Sequence, residues 1–168
     1  GGTFQNCRFV DVDPAETAGL LFRDKARDNV VRFCTVVAKA KACLGFYGAH
    51  PGFKLYGNIL VGTPSSGGKA ADVAVADCNL YGTAPAVMLG QPFADWKVAG
   101  RDAHAKTGDP KFVDAAAGDY TLQAGSPAVD AAPVAAADVP ATDVTGGRRP
   151  AGMAPDMGAH ERGAAGGG

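Results

Sequence analysis

Phe33-Cys34-Thr35-Val36-Val37 is one of four related pentapeptides in this chain. Its companions are Asn6-Cys7-Arg8-Phe9-Val10, Tyr56-Gly57-Asn58-Ile59-Leu60 and Asp77-Cys78-Asn79-Leu80-Tyr81, and all four combine small and polar residues with a closing apolar pair. With Cys7, Cys34, Gly57 and Cys78 taken as equivalent, the intervals are 27, 23 and 21 residues. Self-similarity at such a period is the sequence signature of a solenoid, in which each interval is one coil that buries its apolar face only against its neighbours.

A second register supports the first. Leu20-Leu21-Phe22-Arg23 aligns with Leu44-Gly45-Phe46-Tyr47 at an offset of 24, which stacks Leu20 on Leu44 and Phe22 on Phe46. Such ladders have the spacing of neighbouring strands, about 4.8 Å. Short apolar runs broken by Gly, Asn and Asp fit strands that turn corners, and only Val36 to Leu44 is ambiguous with a helix. The expected fold is all-β, a right-handed parallel β-helix. Its expected parts are coils over 1–82, a last irregular coil over 83–130, an Ala/Pro-rich connector over 131–142, a closing segment over 143–162 and a flexible tail over 163–168.

The 168 residues, 46% of them hydrophobic, suit one core. A net charge of −1 with interspersed signs leaves no basic stripe for nucleic acid. No run approaches the roughly 18 apolar residues of a membrane span, and the N-terminus carries no signal-peptide pattern. The chain opens inside a repeat, so an upstream β-helix segment or another protein chain is expected to pack on the open N-terminal end, whose strand edges need cover.

Five short signatures follow one another toward the C-terminus. They are Asp109-Pro110-Lys111-Phe112, Gly118-Asp119-Tyr120-Thr121-Leu122, Ser126-Pro127-Ala128-Val129-Asp130, Arg148-Arg149-Pro150 and Pro155-Asp156-Met157-Gly158-Ala159-His160-Glu161. Together they resemble the C-terminal end of secreted bacterial right-handed parallel β-helix proteins, the group that includes pectate-lyase-like polysaccharide enzymes and choice-of-anchor surface proteins. The resemblance implies a secreted or cell-surface setting and a polysaccharide partner. It also implies either an acidic-glycan lyase with its main active site upstream or a non-catalytic adhesion module serving as a spacer. Asp109, Asp119 and Asp156 stand beside Pro or Gly and Asp130 three residues after Pro127, places where carboxylates are expected to accept backbone N–H groups in turns. His104 is expected to hold the returning chain through a side-chain hydrogen bond.

Alternation along the strands suggests one candidate surface. If Phe22 and Phe46 face inward, Arg23 and Tyr47 face outward on neighbouring coils, with Lys25 and His50 near the next corner. An exposed aromatic ring beside cations would suit an acidic sugar chain, the ring meeting its apolar face and the cations its carboxylates. The ordinary alternative is a solvated corner of local ion pairs. Asp24 and Asp28 offer hard oxygen donors of the kind calcium takes, and Arg23, Lys25 or His50 could supply the base that lyase chemistry needs. Asp11, Asp13 and Glu16 are carboxylates of the kind a glycosidase uses, although their Asp/Pro-containing loop explains them as turn residues. Cys7, Cys34, Cys43 and Cys78 form no CxxC pair and lack zinc-ligand spacing. Small packed thiols fit the repeat, and a Cys7–Cys34 bridge stays open. No nucleophile elbow, phosphate-binding glycine loop or HExxH pattern is present.

Overall fold

A computed structural model describes residues 1–10, 18–23, 26–133 and 135–163. Its strands are β1 (Thr3–Gln5), β2 (Arg8–Phe9), β3 (Ala18–Phe22), β4 (Val30–Arg32), β5 (Thr35–Phe46), β6 (Phe53–Tyr56), β7 (Ile59–Gly67), β8 (Val73–Asp77), β9 (Leu80–Tyr81), β10 (Val87–Met88), β11 (Gln91–Pro92), β12 (Lys106–Thr107), β13 (Phe112–Asp114) and β14 (Asp119–Leu122), with one short helix, α1 (Phe93–Val98). The first sheet runs β1-β4-β6-β8 and the second β2-β5-β7-β9-β12, with β3 also on β5, and every pairing in both is parallel. The chain alternates between the two sheets, one step further along each at every pass, and the result is a parallel β-helix of about four turns. A register shift interrupts the β5–β7 ladder between Val37 and Ala42.

The register confirms the stacked ladders. Leu20 pairs with Leu44 and Phe22 with Phe46, and the two phenyl rings stack at 5.1 Å with an interplanar angle of 15°. Phe53 meets both rings edge-on. Val31, Leu55, Val36, Leu60 and Tyr81 complete an interior that excludes water, the apolar burial that drives folding.

The corner between the sheets departs by one residue from the sequence alignment. Gln5 pairs with Arg32, Arg32 with Tyr56 and Tyr56 with Asp77, giving offsets of 27, 24 and 21. The first corner column is therefore Asn6, Phe33, Gly57 and Cys78, all left-handed with φ between 50° and 67°. The second is Cys7, Cys34, Asn58 and Asn79. Cys78 thus stands one place before the Cys7–Cys34 ladder. Gly57 and Cys78 of the first column are small like Cys7 and Cys34 of the second, so size did not show that they belong to different columns. All four cysteines are free thiols. Burial pushes Cys34 and Cys43 up to about 12, as expected of packed, unreactive side chains.

The second column carries a buried polar chain. The Cys34 amide donates to Asn58 Oδ1 (3.0 Å), and the Asn58 amide and Nδ2 both donate to Asn79 Oδ1 (3.1 and 3.0 Å). Asn79 Nδ2 in turn donates to Asp102 Oδ1 (2.8 Å) and to the Leu55 carbonyl (3.0 Å). Asp102 Oδ2 accepts the Tyr81 hydroxyl (2.7 Å) and Trp96 Nε1 (2.8 Å). Asn58, Asn79 and Asp102 have no solvent exposure, yet each is satisfied, which is what burial of polar groups demands. Through Trp96 the chain also anchors α1. Together with the two-residue β10–β11 hairpin at Leu89-Gly90, α1 covers the last coil's apolar interior with Met88, Leu89 and Trp96.

The C-terminal segment lies along the flank of the stack instead of over its end. Met157, Ala128, Ala131 and Ala132 pack on the outward side chains Tyr56, Ile59 and Leu80 and on Phe33 and Cys78 of the left-handed corner. The Gly158 amide donates to Gly57 O (2.7 Å), the Ala159 amide to Thr35 Oγ1 (3.0 Å) and Asn6 Nδ2 to Thr142 O (2.6 Å), so one strap crosses successive coils. A Cβ on Gly158 would fall 2.6 Å from Ile59 Cδ1, which explains the glycine. Arg149 and Glu161 pair at 3.2 Å with both side chains fully buried, and the guanidinium lies 4.7 Å from the Phe33 ring centre. Arg149 also donates to the carbonyls of Asp156, Gly158 and Ala159. The expected turn roles hold for Asp109, which accepts from Lys111 N, and Asp119, which accepts from Thr121 N, whereas Asp130 accepts from the distant Ala154 N and Asp156 from the amides of Asp130 and Arg162, so these two tie separate segments together.

Replacing Asn79 by Ala strands buried donors on Asn58 and an acceptor on Asp102. It is expected to cost about 3 kcal/mol, the upper range for an orphaned buried partner, read as a lower urea midpoint at unchanged slope. His160 gives a second test. It is buried, with Nε2 unpartnered, and burial followed by repulsion from Arg8 holds its pKa below the usual histidine value. The unfolded imidazole takes up a proton near pH 6.5 while the folded one resists. The associated stability is therefore full above about pH 6.5 and is lost as pH falls through the lowered folded value. Thermal midpoints at pH 7.5 and 5.5 should fall further in the native chain than in His160→Phe.

Candidate functional site

The outward Arg23 and Tyr47 do meet. They follow the paired ends Phe22 and Phe46, Tyr47 N donates to Phe22 O (2.9 Å), and the Arg23 guanidinium sits 5.4 Å from the centre of the Tyr47 ring. The tyrosine is 53% exposed and the arginine is exposed. A cation over an exposed ring is worth about 0.5–1 kcal/mol, so the pair is ordered but easily remodelled by a ligand.

His50 does not join this surface. Residues 48–52 turn the corner through left-handed Gly48 and Gly52, which ends the strand alternation at Tyr47 and carries the imidazole inward. It is 1% exposed, its Nδ1 lies 3.1 Å from Ala26 O and its Nε2 3.0 Å from Tyr47 O, and Phe22 and Phe46 flank it edge-on. Its backbone amide donates to Asp72 Oδ2 (2.9 Å). This is a corner pin, enclosed beyond the reach of a sugar. Lys25, Asp24, Asp11, Asp13 and Glu16 lie outside the described residues. Asp28 is exposed at a left-handed corner (φ 53°), its amide bonded to Pro51 O (2.9 Å), and among the described residues it belongs to no group of three metal-ligating side chains.

A cavity of about 230 Å³ lies elsewhere, on the outer face of the first sheet. Lys54 and Asp77 floor it, the connector walls it with Pro133 and Asp138, and Cys78 and His104 close one end. The connector is held there by Arg32, which donates to Asp138 O (3.0 Å) and pairs with its carboxylate (3.8 Å), and by the Tyr56 hydroxyl on Asp138 Oδ1 (3.0 Å). His104 makes the expected hydrogen bond: Nδ1 lies 2.7 Å from Asp77 Oδ2, and its amide donates to Asp77 Oδ1 (2.8 Å). Burial raises the Asp77 carboxyl, but the bonds from His104 and from the Cys78 amide outweigh it and the net shift is downward. Burial and the Asp77 and Asp102 carboxylates push the Cys78 thiol up to about 12. A larger open groove, about 470 Å³, between residues 62–65 and 83–87 carries no titratable side chain.

No family model, no curated protein and no solved structure matches the chain. The parallel β-helix assignment rests on the strand register, and the family resemblance on the five C-terminal signatures alone.

Replacing His50 by Ala is expected to cost about 2–4 kcal/mol, from a core cavity and two stranded carbonyls. Tyr47→Ala should shift stability by less than about 0.5 kcal/mol, as a surface change does. Chemical denaturation of the two variants separates a structural pin from a surface residue.

Proposed function

We propose that this chain is the polysaccharide-binding portion of an extracellular β-helix protein, taking an acidic glycan on the Arg23–Tyr47 face. The observation that carries this reading is the guanidinium poised over an exposed tyrosine ring at the rim of a rigid stack. The ring offers an apolar platform for one face of a pyranose, and the guanidinium can turn to pair with a uronate carboxylate. Because each residue directly follows a strand end paired to its neighbour on the next coil, little order need be gained on binding. His50 is enclosed and cannot take a proton from a bound sugar, so it is not the base of any lyase chemistry of the kind implied by the resemblance.

Affinity electrophoresis in polygalacturonate, with a neutral glucan as control, tests the reading. The native chain should be retarded by the acidic polymer only, and Arg23→Ala and Tyr47→Ala should each weaken retention by about tenfold, or 1.4 kcal/mol. Equal retention of all three proteins would move the site elsewhere. No retention of any would favour the spacer role, which the buried polar chain and the flank strap suit equally well.

A further inference from the structure

Asp77, Cys78 and His104 place a carboxylate oxygen, a thiol sulfur and an imidazole nitrogen within 4.8 Å of one another. The glycan reading uses none of them. Asp77 ends β8, Cys78 occupies the left-handed corner, and His104 arrives from the turn after α1, one coil later. Strand alternation alone would send neighbouring side chains to opposite faces. The left-handed backbone at Cys78 (φ 54°) instead lets its side chain line the same cavity as Asp77 and pack in the flank cluster, unlike Cys34 and Cys43, which face the interior. Asp77 is held in place because Oδ1 accepts the amides of both Cys78 (2.9 Å) and His104 (2.8 Å), while Oδ2 faces His104 Nδ1.

We propose that these three side chains form a site for a borderline-soft divalent transition-metal ion such as zinc, with the adjoining cavity giving access to a fourth, exchangeable position. The mixed sulfur, nitrogen and oxygen set is the one zinc accepts, and three protein ligands with an open position is the arrangement that leaves room for water or a ligand. A hard ion such as calcium would instead require about six to eight oxygens. Around a tetrahedral ion with bonds of about 2.0–2.3 Å the donor atoms stand roughly 3.3–3.8 Å apart. Closing the triad requires a movement of about 1.5 Å at most. The His104 side chain, 64% exposed, is free to provide it while Asp77 stays fixed by its two amides. On binding, the imidazole proton moves to Nε2, the thiol proton leaves to solvent, and the ion takes the place of the His104–Asp77 hydrogen bond. The site rests on this donor set and is independent of glycan binding.

Titrating the chelator-treated full chain with Co²⁺ tests the proposal. The expected result is one equivalent bound, with a thiolate-to-cobalt charge-transfer band in the near ultraviolet that Zn²⁺ displaces. Cys78→Ser should abolish the band, His104→Ala should weaken binding by about tenfold or more, and Cys7→Ser, which alters the one thiol that is not buried, should leave both unchanged. The absence of any band would overturn the proposal, as would a band that survives Cys78→Ser or disappears in Cys7→Ser.

Discussion

The polar chain Asn58–Asn79–Asp102 is the constraint on which the rest of the structure depends. A coil of two-residue corners leaves backbone amides and carbonyls pointing into the stack where water cannot follow, and each costs free energy unless it is paired. The carboxamides meet this demand across coils, since each accepts from one neighbour and donates to the next. The arrangement fixes register as well as stability. A slip of one residue would strand every donor in the column and turn each inward side chain out. Asp102 ends the chain by binding Tyr81 and Trp96, which couples the last coil to the helix that covers it.

The second buried ionic feature, Arg149 with Glu161, does for the flank what the asparagines do for the corner. Isolated, a fully buried ion pair is a poor source of stability because desolvation offsets its attraction. Here Glu161 also accepts the amides of Ala151 and Asp156, while Arg149 donates to three carbonyls and covers the Phe33 ring. Phe33 itself holds a left-handed corner that a bulky residue adopts at a cost, and its burial under this strap offsets the strain. Gly57, the next corner, lacks a side chain where the Phe33 ring lies, with ring carbons 3.1 Å from where a Cβ would stand. Corner and strap are thus mutually required.

Much of this was legible in the chain. The Leu20/Leu44 and Phe22/Phe46 ladders were readable because identical apolar residues recur at one coil's separation, and the turn carboxylates because Asp beside Pro or Gly has few other uses. The outward Arg23–Tyr47 contact followed from the same alternation. His50 was not legible, because alternation fails once the chain enters a corner and the inward course of residues 48–52 depends on two left-handed glycines. The one-residue offset of the corner columns was hidden because Gly57 and Cys78 are small in the same way as Cys7 and Cys34. Asp77 and His104 lie 27 residues apart, and nothing in either segment says that a coil of that length, with a helix inserted in it, returns the histidine to the aspartate. The flank course of the C-terminal segment was equally hidden, since its apolar residues are too few and too dispersed to declare which surface they cover.

Amide hydrogen exchange at single-residue resolution tests the central constraint most directly. A solenoid locked by the buried polar column predicts that the amides of Cys34, Asn58, Leu80 and Lys106, which bond to that column's side chains and carbonyls, exchange together and at the slowest rates in the chain, through global unfolding alone. Rapid or unequal exchange at these four amides, with protection confined to the sheet centres, would contradict it.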